Sequence, residues 1–163
     1  MTNPLRFTMQ HQEQSEWCWT AVATSVSHFY SASSPWRQCE VAKAELKQET
    51  CCQDGASIVC NQPWYLDSAL IRTNNLDYVL EGTSTFDGVQ NQIDNDRSLG
   101  VRIGWAGGGG HFVVLSGYDT SQPGSQLLRV EDPLYGPSWV TYDSFVSAYN
   151  GSGSWTHSYF TRA

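Results

Sequence analysis

The chain has 163 residues with 9 Lys and Arg against 16 Asp and Glu, which gives a formal net charge of −7. This length fits one domain or two small lobes, and the apolar content of 40% excludes a disordered chain. An acidic chain without a basic cluster is a poor partner for nucleic acid or an anionic membrane, and no apolar run approaches the ~20 residues of a membrane span.

The first half of the chain has the apolar spacing of helices. Residues 17–30 repeat apolar side chains at i, i+3, i+4 and i+7, which predicts a helix with one buried stripe. Ser15 is the expected N-cap of this helix, which places Cys18 in its first turn. Three further helices are predicted at Gln38–Lys47, Trp64–Ile71 and Phe86–Asp94.

The second half is rich in glycine and in short β-branched or aromatic runs, which are typical of strands. The predicted strands are Val101–Trp105, His111–Tyr118, Gln126–Glu131, Ser138–Tyr142 and Trp155–Thr161, with a short helix at Asp143–Tyr149. We therefore expect an α+β fold in a single domain, residues 1–163. Its helical lobe would cover about 1–84, and a mostly antiparallel β-rich lobe would cover 85–163.

The cysteines form a cluster of four and one that stands alone, Cys18. Four cysteines can pair as two disulfides, and the one left over then indicates a reactive thiol. Each closed loop contributes roughly 3 kcal/mol in the chain-entropy model. A four-thiolate zinc site is the less favoured alternative because the spacing lacks Cys-x2–4-Cys pairs, so no metal is expected. The two feasible pairings are Cys39–Cys51 with Cys52–Cys60, and Cys39–Cys52 with Cys51–Cys60.

Cys18 is the candidate nucleophile because it is expected at a helix N-terminus. The partial positive charge there favours thiolate over thiol, as catalysis requires and a structural cysteine does not. The alternative interpretation is a buried, inert thiol.

Of the four histidines, His111 is the best candidate for the base. It opens an apolar strand directly after Gly107–Gly110, where close backbone approach is allowed and the ring is held rigidly. His28 lies ten residues along the Cys18 helix, roughly 15 Å away. Nothing fixes the orientation of His11, and His157 has the position of a half-buried sheet residue.

Two further residues complete a candidate site. Asp132 ends the strand before Pro133, and a hairpin would return it beside His111, where it could hold the imidazole Nδ1–H. The alternative is that Asp132-Pro133 only forms a turn. Gln12 lies six residues before Cys18, and its amide could join the Cys18 N–H in stabilising an oxyanion.

Two segments resemble those of papain-like cysteine peptidases. Gln12–Ala21 contains a Gln six residues before a Cys-Trp pair, and His111–Tyr118 has the family's histidine strand with a trailing Gly-Tyr. The resemblance implies Cys18 as nucleophile, His111 as base, Asp132 as orienting acid and Gln12 as oxyanion donor. We expect the substrate cleft at the junction of the lobes, with three residues beside it: Trp17, Trp19 and Gly110.

The Trp17-Cys18-Trp19 triplet and the downstream Asp-Pro are most similar to the compact bacterial branch of the family. This branch includes secreted effector and toxin proteases and the leader peptidases of bacteriocin exporters. His111 follows Cys18 by 93 positions, fewer than the roughly 130–150 typical of papain and cathepsins, so the fold should be trimmed. Asp132 stands where the family usually has Asn.

The sequence therefore predicts a peptidase that needs no cofactor and cleaves a protein or peptide through a thioester intermediate. A deamidase, transglutaminase-like enzyme or peptidoglycan amidase could use the same residues, and a non-catalytic binding module is a third alternative. We expect a secreted protein or one delivered by a bacterial secretion system, although residues 1–6 show no signal-peptide pattern. A cognate immunity or inhibitor protein is a further expected partner.

Overall fold

The computed structural model describes residues 4–163 and alternates helices with an antiparallel sheet. The helices of these residues are α1 (Cys18–Tyr30), α2 (Gln38–Leu46), α3 (Leu66–Arg72), α4 (Phe86–Asp94) and α5 (Tyr142–Ala148). The strands are β1 (Leu76–Leu80), β2 (Leu99–Trp105), β3 (Gly110–Asp119), β4 (Leu127–Glu131), β5 (Ser138–Thr141) and β6 (Gly153–Thr161). The predicted α+β fold is confirmed.

The strands form one sheet in the order β1-β6-β2-β3-β4-β5, and every neighbouring pair is antiparallel. Strand β6 lies between β1 and β2 although it is last in the sequence. Strand β1 was not predicted, because Tyr78 and Leu80 are exposed at the sheet edge and its burial lacks the two-residue alternation of a half-buried strand. The lobe boundary near residue 84 stays a prediction. Strand β1 precedes this boundary in the sequence but belongs to the sheet.

The sheet separates two apolar cores, and the alternation of β3 shows how. Phe112 and Val114 pack with the residues of α1, α2 and α3, whereas Val113 and Leu115 pack with those of α4 and α5. Strand β3 is therefore buried on both faces. Helix α1 packs against β3, and the first residues of the two elements, Cys18 and Gly110, line one cleft.

Helix α1 does not begin with the expected cap. Its N-cap is Trp17, without a side-chain capping hydrogen bond. Ser15 lies in a turn before the helix, and its hydroxyl instead accepts a hydrogen bond of 2.8 Å from the Asn61 side chain. The prediction of Ser15 as N-cap was wrong because the turn at residues 13–16 displaces it from the helix start.

The four clustered cysteines form two disulfides, Cys39–Cys52 and Cys51–Cys60. The disulfide interpretation is confirmed, and the structure selects one of the two feasible pairings. Cys18 is the free cysteine of the described residues. Among the helices of residues 4–163, none is both long and apolar enough to cross a membrane.

Candidate active site

Cys18 and His111 meet at one end of the sheet. Cys18 is the first residue of α1 and is half-buried, whereas His111 is the second residue of β3 and only 5% exposed. Cys18 lies close enough to His111 to raise the pKa of the imidazole. A thiol is thus held against an imidazole by a helix and a strand, which are the most rigid elements available.

Asp132 holds the other side of the imidazole. It follows β4, whose pairing with β3 returns the chain beside His111, as the hairpin argument predicted. Its Oδ1 lies 2.8 Å from Nε2 of His111. The expectation that Asp132 binds Nδ1 was therefore wrong, because the ring orientation presents Nε2 to the carboxylate.

The Asp132 carboxylate accepts hydrogen bonds from several directions besides His111. Oδ1 accepts from the backbone N–H groups of Leu134 and Tyr135, at 2.8 and 2.9 Å, and Oδ2 accepts from the Tyr149 hydroxyl at 2.6 Å. Burial alone would raise the pKa of Asp132, but the donors and the His111 charge lower it below its ordinary value. Asp132 is an anion with a fixed orientation as well as the start of a turn.

The contact with Asp132 raises the pKa of His111. Burial by itself lowers the pKa of His111, but the hydrogen bonds and charges of Asp132 and Cys18 outweigh it and raise the pKa to about 9. The imidazole is therefore protonated at neutral pH. A cationic ring between a thiol and a carboxylate is an arrangement that can exchange a proton with the sulfur.

Aromatic rings enclose the His111–Asp132 pair. Trp105 stacks near His111, with centroids 6.0 Å apart, and Tyr135 meets the imidazole edge-on at 6.0 Å. Tyr149 stacks near Trp105 and reaches the carboxylate. Tyr149 was not predicted from the sequence, since only the packing of α5 and β6 brings it to Asp132 and no local spacing indicates that contact.

Gln12 is buried at the entrance to α1, and its backbone N–H donates to the Pro133 carbonyl at 2.9 Å. Its loop is thus tied to the turn that contains Asp132. Its side-chain Nε2 donates to the carbonyls of Gln14 and Ser15, at 3.1 and 2.8 Å, and its Oε1 is buried without a partner in residues 4–163. An amide nitrogen has two hydrogens, so donation to an oxyanion requires one of these bonds to be released. The oxyanion role of Gln12 stays a prediction.

A cleft of about 500 Å³ opens beside Cys18 between the helices and the sheet. Two of the three residues expected beside it, Trp19 and Gly110, line it. Trp17 does not, and that prediction was wrong. Among the basic cleft residues, Arg102 was not singled out from the sequence, and His157 is the half-buried sheet residue that was predicted but also lines the cleft. The alternation Val101-Arg102-Ile103 is the signal that places Arg102 on the opposite face from its buried neighbours.

Trp17 is instead an anchor for the start of α1. It is 1% exposed, and its indole N–H donates to the Cys60 carbonyl at 2.7 Å. The backbone N–H of Glu16 donates to the Asn61 side chain at 2.9 Å. The segment before Cys18 is therefore attached to a segment that is itself closed by the Cys51–Cys60 disulfide.

The class of protein follows from fold and site together. A cysteine at the start of a helix, packed on an antiparallel sheet that presents a histidine and its carboxylate partner, is the arrangement of papain-like cysteine peptidases. Residues 1–150 match the family model Peptidase_C70, described as papain-like cysteine protease AvrRpt2, and the chain belongs to this family. The resemblance inferred from the sequence is confirmed, and the protein is a papain-like cysteine peptidase.

Solved structures with the same architecture include a double glycine motif protease from an AMS/PCAT transporter in complex with its leader peptide. That chain is 15% identical, with a TM-score of 0.51 over 99% of this chain and 95% of the other. The avirulence protein AvrPphB of Pseudomonas is 10% identical, with a TM-score of 0.45 over 98% of each chain. A search of curated protein sequences returned no significant match.

Proposed function

We propose that this peptidase hydrolyses peptide bonds through Cys18, His111 and Asp132, with a covalent thioester intermediate. The observation that carries the proposal is the hydrogen bond between the His111 ring and the buried Asp132 carboxylate, beside the cleft that Cys18 and Gly110 line together. Each group has the chemical property that its role needs: a thiol, an imidazole protonated at neutral pH, and an anion that stabilises and orients that imidazole.

The first half of the reaction forms the thioester. The Cys18 sulfur, its proton held by His111, attacks the carbonyl carbon of the substrate, and a C–S bond forms as the carbonyl oxygen becomes an oxyanion. The Cys18 backbone N–H and the Gln12 amide donate hydrogen bonds to that oxyanion. His111 then gives its proton to the amine nitrogen as the C–N bond breaks.

The second half releases the product and restores the enzyme. Water enters where the amine has left, His111 takes a proton from it, and the water oxygen attacks the thioester carbon. The C–S bond breaks, the carboxylic acid leaves, and the sulfur and His111 return to their first state. Asp132 keeps the ring oriented through both halves because its own position is fixed by donors other than His111.

The substrate that we propose is a specific protein outside the cell that makes the enzyme. Two disulfides in a chain of this size favour an oxidising compartment, which supports secretion or delivery as an effector or toxin. An active peptidase endangers its producer, so we propose a cognate inhibitor or immunity protein that occupies the cleft beside Cys18.

The decisive experiment incubates the protein with whole-cell protein from a target cell and labels new N-termini. The wild type should create new N-termini, whereas Cys18→Ala and His111→Ala should create none while remaining folded. His11→Ala serves as the matched control, since His11 is exposed and lies outside the cleft. A deamidase or transferase would change side-chain amides without new N-termini, and activity in Cys18→Ala would overturn the proposed nucleophile.

A further inference from the structure

The cleft beside Cys18 has charged groups among its aromatic walls. Its aromatic members include Trp64, Tyr65, Phe112 and Tyr159, and its charged or titratable members are Glu16, Arg102 and His157. A peptide that reaches Cys18 must pass these groups. Their charges therefore bear on which peptides are accepted, once the cleft is taken as the substrate site of the proposed function.

Arg102 is a cation without an anionic partner. Within residues 4–163, carboxylates pair with Arg37, Arg72, Arg97 and Arg129. In the same part of the chain none pairs with Arg6, Arg102 or Arg162, and of these three only Arg102 lines the cleft. The chain has an excess of seven negative charges, so this lack is not a shortage of available carboxylates. An arginine kept free of an internal carboxylate in a catalytic cleft is available to a carboxylate that comes from outside.

The position of the guanidinium is fixed by the sheet. Arg102 on β2 lies between Phe112 on β3 and His157 on β6. Its Nη1 donates to the Thr156 hydroxyl at 3.0 Å. Its far end lies over Gly110, where an added Cβ would come within 2.7 Å of Nη2. The glycine thus leaves room for the guanidinium one residue away from His111.

His157 lies beside Arg102 in the same cleft. Its Nδ1 lies 2.9 Å from the Thr156 hydroxyl, which also binds Arg102. Its ring stacks near Tyr159, with centroids 6.4 Å apart. Arg102 and His157 are therefore neighbours on adjacent strands, joined through one hydroxyl and facing one cleft.

We propose that Arg102, supported by Thr156 and His157, forms a subsite for a carboxylate of the peptide substrate. This proposal rests on the proposed peptidase function and specifies its substrate class. A guanidinium binds a carboxylate through parallel hydrogen bonds, and partial burial strengthens the pairing. Two sources supply the same chemistry: an Asp or Glu side chain near the cleaved bond, or the C-terminal carboxylate of a short peptide.

The test begins with the wild type and a proteome-derived peptide library, and sequences the cleaved products. We expect Asp or Glu to be enriched at one position within three residues of the cleaved bond. The best peptide is then compared with a copy in which this residue is its amide, and with a copy that has a C-terminal amide. If cleavage is lost with the side-chain amide, the subsite binds the acidic side chain. If cleavage is lost with the C-terminal amide, the subsite binds the C-terminal carboxylate.

Variants connect this preference to Arg102. Arg102→Gln should lower kcat/KM for the acidic peptide roughly 10-fold or more relative to its amide copy, as expected when a charged hydrogen-bond partner is lost. Arg102→Lys should keep part of the preference because it keeps the charge. Arg97→Gln makes the same change of charge outside the cleft and should leave the preference unchanged.

Cleavage by the wild type without any preference for a carboxylate would overturn the subsite and leave the peptidase function intact. An unchanged preference in Arg102→Gln would overturn it as well. A wild type that cleaves no peptide in the library contradicts the proposed function and the subsite with it. The wild-type comparison of acid and amide peptides remains decisive even if Arg102→Gln fails to fold.

Discussion

The Tyr149 hydroxyl donates a hydrogen bond of 2.6 Å to Oδ2 of Asp132, the carboxylate oxygen that His111 does not use. One carboxylate is therefore fixed from both oxygens, and the imidazole is oriented by a group that cannot rotate away. Tyr149 acts on the proposed reaction only through Asp132, which makes it a positioning residue.

Tyr149→Phe should weaken both the fold and the proposed reaction. A hydrogen bond to a charged group contributes about 1.5–3 kcal/mol, so the free energy of unfolding should fall by an amount of this order. Because Tyr149 lowers the pKa of Asp132, the acid limb of kcat/KM should move to higher pH. The control is Tyr142→Phe, since the Tyr142 hydroxyl donates to the neutral Ser84 carbonyl. Equal pH profiles for the two variants would contradict the positioning role.

Asp132→Asn should change the dependence of activity on pH. Asp132 is a main cause of the raised pKa of His111, about 9 in the folded protein. Without the negative charge this pKa falls, so the alkaline limb of kcat/KM should move to lower pH. Measured against the wild type from pH 5 to 10, an unmoved alkaline limb would contradict the assignment.

Stability provides an independent check of the same pKa. A histidine whose pKa is raised on folding stabilises the fold fully below its ordinary pKa of 6.5 and loses that contribution as pH rises through about 9. The wild type should therefore lose unfolding free energy between these values, and Asp132→Asn should lose less. Denaturant unfolding at several pH values measures both.

Gln12→Ala tests the oxyanion donor directly. Loss of one such donor typically lowers kcat by about 10²–10³, with a smaller effect on KM, because the bond strengthens in the transition state. Gln14→Ala is the matched control in the same loop. Wild-type rates in Gln12→Ala would contradict the oxyanion role. The Gln12 amide of the wild type would then serve only to bind the carbonyls of Gln14 and Ser15, as it does in the structure.

The two disulfides should differ in their effect on activity. Replacing either pair by serine should reduce the free energy of unfolding by about 2–4 kcal/mol, because each disulfide restricts the unfolded chain, with sequence separations of 13 and 9. Replacement of the Cys51–Cys60 pair should also lower kcat/KM, since the Cys60 carbonyl binds the indole of Trp17, the residue directly before Cys18. Equal activity losses for the two double variants, measured where both are folded, would contradict this link.

Local patterns were enough to predict most helices and strands. The bounds of α4 agree with the prediction, and α1 differs by one residue, since each has a clear apolar stripe. Strand β1 was not predicted because an exposed edge strand has no regular pattern of buried apolar residues. The three residues proposed for catalysis are brought together as expected, but the nitrogen that binds Asp132 depends on ring orientation, which sequence does not encode.

The partners of these residues were harder to predict. Tyr149, Arg102 and His157 acquire their positions from strand register and from the packing of α5, over separations that no motif spans. Trp17 and Ser15 were misplaced for a related reason. Their partners, Cys60 and Asn61, lie more than forty residues away in sequence, so the local pattern gave no indication of them.

The position of β6 sets the time at which activity can begin. Cys18, His111, Asp132 and Tyr149 all precede this strand, yet β6 joins β1 to β2 inside the sheet and presents His157 to the cleft. A chain that leaves the ribosome in order thus contains every proposed reacting group while β1 and β2 still have unpaired edges. The enzyme should remain inactive during synthesis, and acquire activity only when residues 153–161 have emerged and paired.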